Sequence, residues 1–274
     1  MNINNIRIGI IGLGFVGGAI YRSFKEKNIN VIGYDKYKNF NSFEECLLSD
    51  IMFLCLPTQF DETTKSYDKS IIIDVLNNLN NYKGLVVIKS TVEPNTTNLL
   101  QEIFPSLKLF HNPEFLSAAT AYEDFHNQTH IVLGKSLKSS QDDLLYLEQF
   151  YHSYYPDAKI SLCSSTESES MKIYLNCFYS VKLQFFNELY LLCNKTETNY
   201  NNVLDLMLKN NWINPMHTKV PGNDGQLSYG GYCFPKDTNA LLQFMKSFDS
   251  PCKVLEATIN ERNDMREDHL NIKN

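Results

Sequence analysis

The chain has 274 residues, 43% hydrophobic and 20% charged, with a net charge of −6. These values describe a soluble globular protein of one large or two small domains, and the acidic balance argues against nucleic acid or an anionic membrane as the main partner. No apolar run approaches the roughly 18 residues of a membrane span, the start "MNINNIRIGIIG" lacks a signal-peptide core, and the seven cysteines form no C-x-x-C pair. They read as reduced thiols of a cytoplasmic chain, with no disulfide or metal framework.

An apolar run, Ile6 to Ile11, leads directly into Gly12-x-Gly14-x-x-Gly17. A helical pattern follows, then a second strand, Val31 to Tyr34, that ends at Asp35. Alone the glycine pattern is weak. With a strand before it, a helix after it and an acid about 20 residues on, it reads as a dinucleotide site. Gly12 permits a tight turn, Gly14 lets a pyrophosphate approach the backbone, and Gly17 lets helix pack on strand. Phe15 and Val16 lie in the same turn, at a helix N-terminus suited to phosphate. Asp35 suits the ribose hydroxyls and repels a 2′-phosphate, which favours NAD over NADP; the neighbouring Lys36 weakens that preference.

Further buried-type runs follow at βαβ spacing: Ile51–Pro57, Leu85–Ser90, Leu107–Phe110 and His130–Gly134. Helix candidates "NSFEECLLS", "KSIIIDVLNNLNN" and "NTTNLLQEIF" lie between them. The pattern is α/β, a Rossmann-like doubly wound parallel sheet. Ligands in such sheets lie at the C-terminal strand ends, which directs attention to "CLPTQF", "STVEPNTT" and "HNPEFLSAATAYEDF". There Thr91 is either a turn hydroxyl or a site residue, and Glu114 either a solvated acid or a functional one.

From Ser164 a long helix pattern begins, and the expected organisation is residues 1–163 as the NAD-binding domain and 164–274 as an all-helical central domain. Lys172 and Asn176 stand one turn apart on one face. Asn187, at about 100° per residue, returns to within about 60° of that face. Lys172 reads as a snorkelling surface lysine or a site residue, and Asn176 as a packing amide or a site residue. After a short helix, "NNVLDLMLKN", a loop rich in Gly, Pro, Asn and Asp reaches "GGYCFPKDTNAL", Gly230 to Leu241. Pro235 suits the first helical position. Cys233 then lies just ahead of a helix N-terminus beside Lys236, where a thiolate is stabilised; the alternative is a small buried cysteine.

With these segments in order, the chain resembles the UDP-glucose 6-dehydrogenases of the wider nucleotide-sugar (UDP-glucose/GDP-mannose) dehydrogenase family. The matching stretches are "GLGFVG", Asp35, "LPT", "STVEPNTT", "NPEFL", "MKIYLNCF…FFNEL", "VPGNDG" and "YGGYCFPKDTNAL". The resemblance implies oxidation of a sugar C6 alcohol to a carboxylate with two NAD. Cys233 matches the nucleophile, Lys172 and Asn176 the oxyanion pair, and Asp237 the acid that works with an ordered water. Glu114 matches the carboxylate that activates water, and Thr91 the threonine at the water and nicotinamide site. It also implies cofactor contacts at Pro57, Thr58, Ser90 and Lys236, and substrate contacts at Phe115, Leu116, Lys219, Tyr229, Gly230 and Gly231.

Two departures stand out. Ser117, Ala118 and Ala119 replace the family's second Glu and Gly, which leaves Glu114 as the candidate base of that loop. The family's second nucleotide-binding domain, which helps to hold UDP, is expected to be absent, so sugar-nucleotide binding is expected to be weak. Another sugar nucleotide (GDP-mannose, a UDP-N-acetylhexosamine) and a non-catalytic binding remnant are the competing readings. Apolar residues around the long helix, among them Ile173, Leu175, Phe178, Val181, Phe185, Phe186, Leu189 and Leu191, must be covered on more than one side. A homodimer through that helix is expected, as the resemblance also implies.

Overall fold

A computed structural model describes residues 5–268. In chain order the elements are β1 (Arg7–Ile11), α1 (Phe15–Glu26), β2 (Asn30–Tyr34), α2 (Phe43–Cys46), β3 (Ile51–Leu54), β4 (Phe60–Asp61) and β5 (Ser66–Tyr67). Next come α3 (Ser70–Asn78), β6 (Leu85–Ile88), α4 (Thr96–Ile103), β7 (Lys108–His111), α5 (Ala121–His126), β8 (His130–Lys135), α6 (Gln141–Tyr154) and β9 (Lys159–Ser164). The chain continues with α7 (Ser165–Lys195), α8 (Tyr200–Leu208), α9 (Phe234–Ser247) and α10 (Lys253–Met265). It divides into two compact units: Met1–Gln59 with Tyr67–Lys172, and Phe60–Ser66 with Ile173–Asn274. The division therefore falls within α7, at Lys172, rather than at residue 164.

The first unit holds a seven-stranded sheet in the order β2-β1-β3-β6-β7-β8-β9, doubly wound about β1 and β3. Alternate residues of the central strands serve opposite faces, as the two-residue period of a strand requires. Ile51, Phe53, Leu85 and Val87 join Ile20 and Phe24 of α1, Phe125 of α5 and Leu147 and Phe150 of α6 in one core. Met52, Leu54, Val86 and Ile88 join Cys46 of α2, Ile72 and Leu76 of α3 and Leu100 of α4 in the other. Burial on both faces explains why these strands read as continuous apolar runs.

The sheet is not wholly parallel. β8 pairs antiparallel with β7, at Phe110 with Lys135 and His111 with Gly134, while the other neighbours are parallel. The connection from β7 to β8 carries only the six-residue α5. The elements without a sequence expectation are the β4–β5 ribbon, α5, α6 and β9.

In the second unit the later turns of α7 pack Phe186 and Cys193 with Tyr200 of α8 and Val220 of the following loop. α9 buries Ala240, Leu241 and Leu242, and α10 buries Leu255 and Ile259. The long helix begins with a reciprocal cap. Ser164 N–H donates to the Glu167 carboxylate at 2.8 Å and Glu167 N–H donates to Ser164 Oγ at 3.2 Å, the S-x-x-E pattern that satisfies first-turn amides.

Candidate active site

In the first unit the turn between β1 and α1 is built on its glycines. Gly12 has φ +88°, and a Cβ there would lie 2.4 Å from the Cys55 carbonyl oxygen. A Cβ on Gly17 would lie 1.8 Å from the Gly12 carbonyl oxygen. Gly14 faces open space, with nothing within 4 Å of the corresponding point. Phe15 is exposed and Val16 half-buried. Asp35 accepts the Leu13 N–H at 2.8 Å on Oδ2 and the Tyr37 N–H at 2.9 Å on Oδ1. Its carboxylate thus braces the glycine turn, and Lys36 is exposed. Sequence reasoning passed over Lys38, whose ammonium donates to the Leu13 carbonyl.

The loops after β3 and β6 are stitched together at the same strand ends. Ser90 Oγ accepts from Leu56 N–H at 3.2 Å and donates to Leu56 O at 2.7 Å. Thr58 Oγ1 donates to the Thr91 carbonyl at 2.7 Å, beside the exposed Pro57. The loop after β7 delivers Glu114, whose Oε1 lies 3.1 Å from Lys172 Nζ with both side chains nearly buried. Its Oε2 accepts the Leu116 N–H at 2.5 Å. The ring of Phe115 stands 5.7 Å from the same ammonium.

A second buried ammonium supports this loop from below. Lys89 donates to Asn112 Oδ1 at 2.8 Å and to Pro113 O at 3.3 Å, and Tyr151 donates to the same Asn112 oxygen at 2.5 Å. Burial lowers the Lys89 pKa to about 8, with Glu114 among the charges that oppose the fall. His111 is neutral, its Nε2–H donating to Ser90 O at 3.3 Å and its Nδ1 accepting from Ser168 Oγ at 2.8 Å. Burial depresses its pKa to about 3. A cavity of about 820 Å³ at the opposite, N-terminal ends of β3, β6 and β7 is lined by Asp50, Asn80, Tyr82 and Lys108 and includes no candidate residue.

In the second unit Cys233 is exposed and caps α9. The helix starts at Phe234, so Pro235 stands at its second position rather than its first. Asp237, fully buried, accepts from Asn176 Nδ2 at 2.6 Å and pairs with Lys236 Nζ at 2.6 Å. Its N–H donates to Cys233 O at 3.0 Å, closing the first turn. Asn187 is structural: its Oδ1 accepts the Ser228 N–H at 2.8 Å and its Nδ2 donates to Leu183 O at 2.7 Å. Lys219 is exposed and donates to Asn223 Oδ1 at 3.2 Å.

The NAD binding domain description of the UDP-glucose/GDP-mannose dehydrogenase family matches residues 36–154, and its central domain description matches residues 166–264. The UDP-glucose 6-dehydrogenase TuaD of Bacillus subtilis is 31% identical over 81% of this chain and 48% of its own length. A UDP-glucose 6-dehydrogenase of Campylobacter jejuni is 25% identical over 95% of this chain and 72% of its own length. The chain belongs to the UDP-glucose/GDP-mannose dehydrogenase family. Its fold is that of the UDP-glucose dehydrogenase of Pyrobaculum islandicum, with a TM-score of 0.82 at 24% identity over 94% of this chain and 68% of the other. The chain spans about half the length of TuaD.

The matched NAD binding domain makes NAD the cofactor. The glycine turn fits that group: Gly14 leaves clear the space a pyrophosphate needs, and Gly12 and Gly17 seat the helix whose amides face it. Among the described residues no helix is long and apolar enough to cross a membrane, and no cluster of three or more His, Cys, Asp or Glu could hold a metal.

Two buried arginines escaped sequence reasoning. Arg262 of α10 and the adjoining Arg266 are buried against the loop that precedes Cys233. Arg262 Nε donates to Tyr229 O at 3.1 Å, Arg266 donates to Leu227 O at 3.1 Å, and Arg266 pairs with Asp224 at 2.8 Å. A Cβ on Gly230 would meet the Arg266 guanidinium at 2.4 Å, and Gly231 adopts φ +78°. Both glycines read as substrate contacts therefore also serve the course of this loop.

Proposed function

We propose that the protein oxidises the C6 alcohol of UDP-glucose to the carboxylate of UDP-glucuronate in two two-electron steps, through a covalent intermediate on Cys233. The observation that supports this best is the exposed Cys233 thiol at the head of α9, one turn before an Asp237 that Asn176 and Lys236 hold in place. When bound at the turn of Gly12, Gly14 and Gly17, NAD would supply the hydride acceptor for each oxidation. In the first, the alcohol proton passes through a water molecule to the Asp237 carboxylate as the hydride leaves, and an aldehyde results. The Cys233 sulfur adds to the aldehyde carbon, and the thiohemiacetal oxygen is stabilised as it gains charge by Lys172 and Asn176, one turn apart on α7. Loss of the second hydride leaves a thioester. Glu114 takes a proton from water as it attacks the thioester carbonyl, the carbon–sulfur bond breaks, and Cys233 is regenerated. Lys172 Nζ lies 3.1 Å from the Glu114 carboxylate and so holds it in place on this loop.

The later part of α7 also supports a homodimer. Tyr174, Phe178, Phe185 and Leu192 are 49%, 60%, 50% and 55% exposed. With the half-buried Val181 they form a stripe at the alternating four- and three-residue spacing of a helix–helix seam. Four large apolar groups in one line on a soluble surface are a contact face.

Purified protein with NAD and a panel of sugar nucleotides tests the reading. Complete conversion yields two NADH per UDP-glucose, and Cys233→Ser stops acid formation. One NADH per sugar, or full activity in the serine variant, defeats the covalent route. Faster turnover of GDP-mannose or a UDP-N-acetylhexosamine reassigns the substrate.

A further inference from the structure

Glu169 belongs to none of the roles above, yet it is fully buried. Its carboxylate accepts Asn95 N–H at 2.6 Å, Thr97 N–H at 2.7 Å and Thr97 Oγ1–H at 2.5 Å. Burying a carboxylate is costly unless donors surround it. These donors are the unsatisfied first-turn groups of α4, a helix whose own N-cap, Asn95 at φ +76°, provides no side-chain cap. Glu169 supplies the missing cap from another helix.

We propose that Glu169 is a positioning residue for the dehydrogenase reaction: it locks the turn of α7 that presents Lys172 to the loop that carries Thr91. The proposal rests on the reading of Lys172 as an oxyanion-stabilising group. Three facts support it. The loop runs from Ser90 to Asn95, so Thr91 is tethered at one end by Ser90 to Leu56 and at the other by Glu169. Lys172 follows Glu169 by three residues, so the backbone that Glu169 fixes is the base of the Lys172 side chain. The neighbouring positions reinforce the same strip, with Ser168 on His111 at 2.8 Å and Thr166 on Asn98 at 3.1 Å. A lysine on a flexible four-carbon stem is held at one point only when its backbone is held.

The test uses the full chain carrying Glu169→Ala or Glu169→Gln. The quantities are kcat, the KM values, the thermal midpoint, and acylation of Lys172 by a lysine-reactive succinimidyl ester, read by peptide mass spectrometry without substrate. In Glu169→Ala, kcat falls about ten- to a hundredfold with KM for NAD within about threefold, the size expected of a misplaced catalytic group. Lys172 acylation rises severalfold, and Glu169→Gln, which keeps one acceptor, lies between. Should Glu169→Ala fail to fold, Thr97→Val removes a single donor and gives a smaller rise in Lys172 acylation. Unchanged kcat and unchanged acylation in a folded Glu169→Ala overturn the proposal, as does unchanged acylation in Thr97→Val. A wild-type protein that oxidises no sugar nucleotide defeats the reaction proposed above, while Lys172 acylation still decides the role of Glu169.

Discussion

A side chain at Gly17 would put its Cβ 1.8 Å from a backbone oxygen, whereas one at Gly14 would meet nothing within 4 Å. The two glycines therefore fail differently when changed. Gly17→Ala destabilises the fold by about 1–3 kcal/mol, the cost of forcing extra atoms into a packed contact. Gly14→Ala leaves the thermal midpoint unchanged and raises KM for NAD, because its methyl occupies space that only the cofactor uses. Equal effects of both variants on stability would contradict this division. At this scale the glycine turn and the α9 start were legible because each needs a particular residue type: no Cβ, a ring without an N–H, a thiol at a helix head. Arg262 and Arg266 were not. An arginine on an amphipathic helix gives no sign in sequence of which distant carbonyl it will reach, and only folding brings Leu227 and Tyr229 to them.

Among the elements, α7 carries the clearest consequence. Its Tyr174, Phe178, Val181, Phe185 and Leu192 stripe predicts that Phe178→Glu with Phe185→Glu shifts sedimentation at micromolar concentration from dimer to monomer. A wild-type protein that already sediments as a monomer removes the basis for the seam. The strands of the central sheet were readable because burial on both faces leaves an unbroken apolar run. The antiparallel β8 was not, since a run such as "HIVLG" states burial and not direction. β9, whose six residues are all exposed or half-buried, has no such run at all. α6 is a different case. Ser140 Oγ caps it by accepting from Asp143 N–H at 3.0 Å, and Leu144, Leu147 and Tyr151 recur at helical spacing, so the signal was present and simply unread.

For the whole molecule, His111 sets a pH limit on stability. Its ring is buried and neutral, lodged between Ser90 O and Ser168 Oγ, with the ammonium groups of Lys89 and Lys172 further opposing a positive charge. Burial brings its folded-state pKa to about 3, against 6.5 when unfolded. Above pH 6.5 both states are neutral and the stabilisation is complete. Below it only the unfolded chain takes up the proton, so stability falls as pH drops toward 3, by up to about 1.4 kcal/mol per unit from this group. Denaturation midpoints at pH 7 and pH 5 should separate less in His111→Gln than in the wild type; an equal separation would exclude His111 as the source. The split of α7 between the two units bears on how the molecule can be cut. A gene fragment ending where the sheet ends, at Ser164, would discard Glu169 and Ser168 together, leaving the amides of Asn95 and Thr97 and the His111 ring without their acceptor and donor. Such a fragment is a poor candidate for an autonomous cofactor-binding module, and an excision that respects the chemistry must carry α7 at least one turn past Lys172.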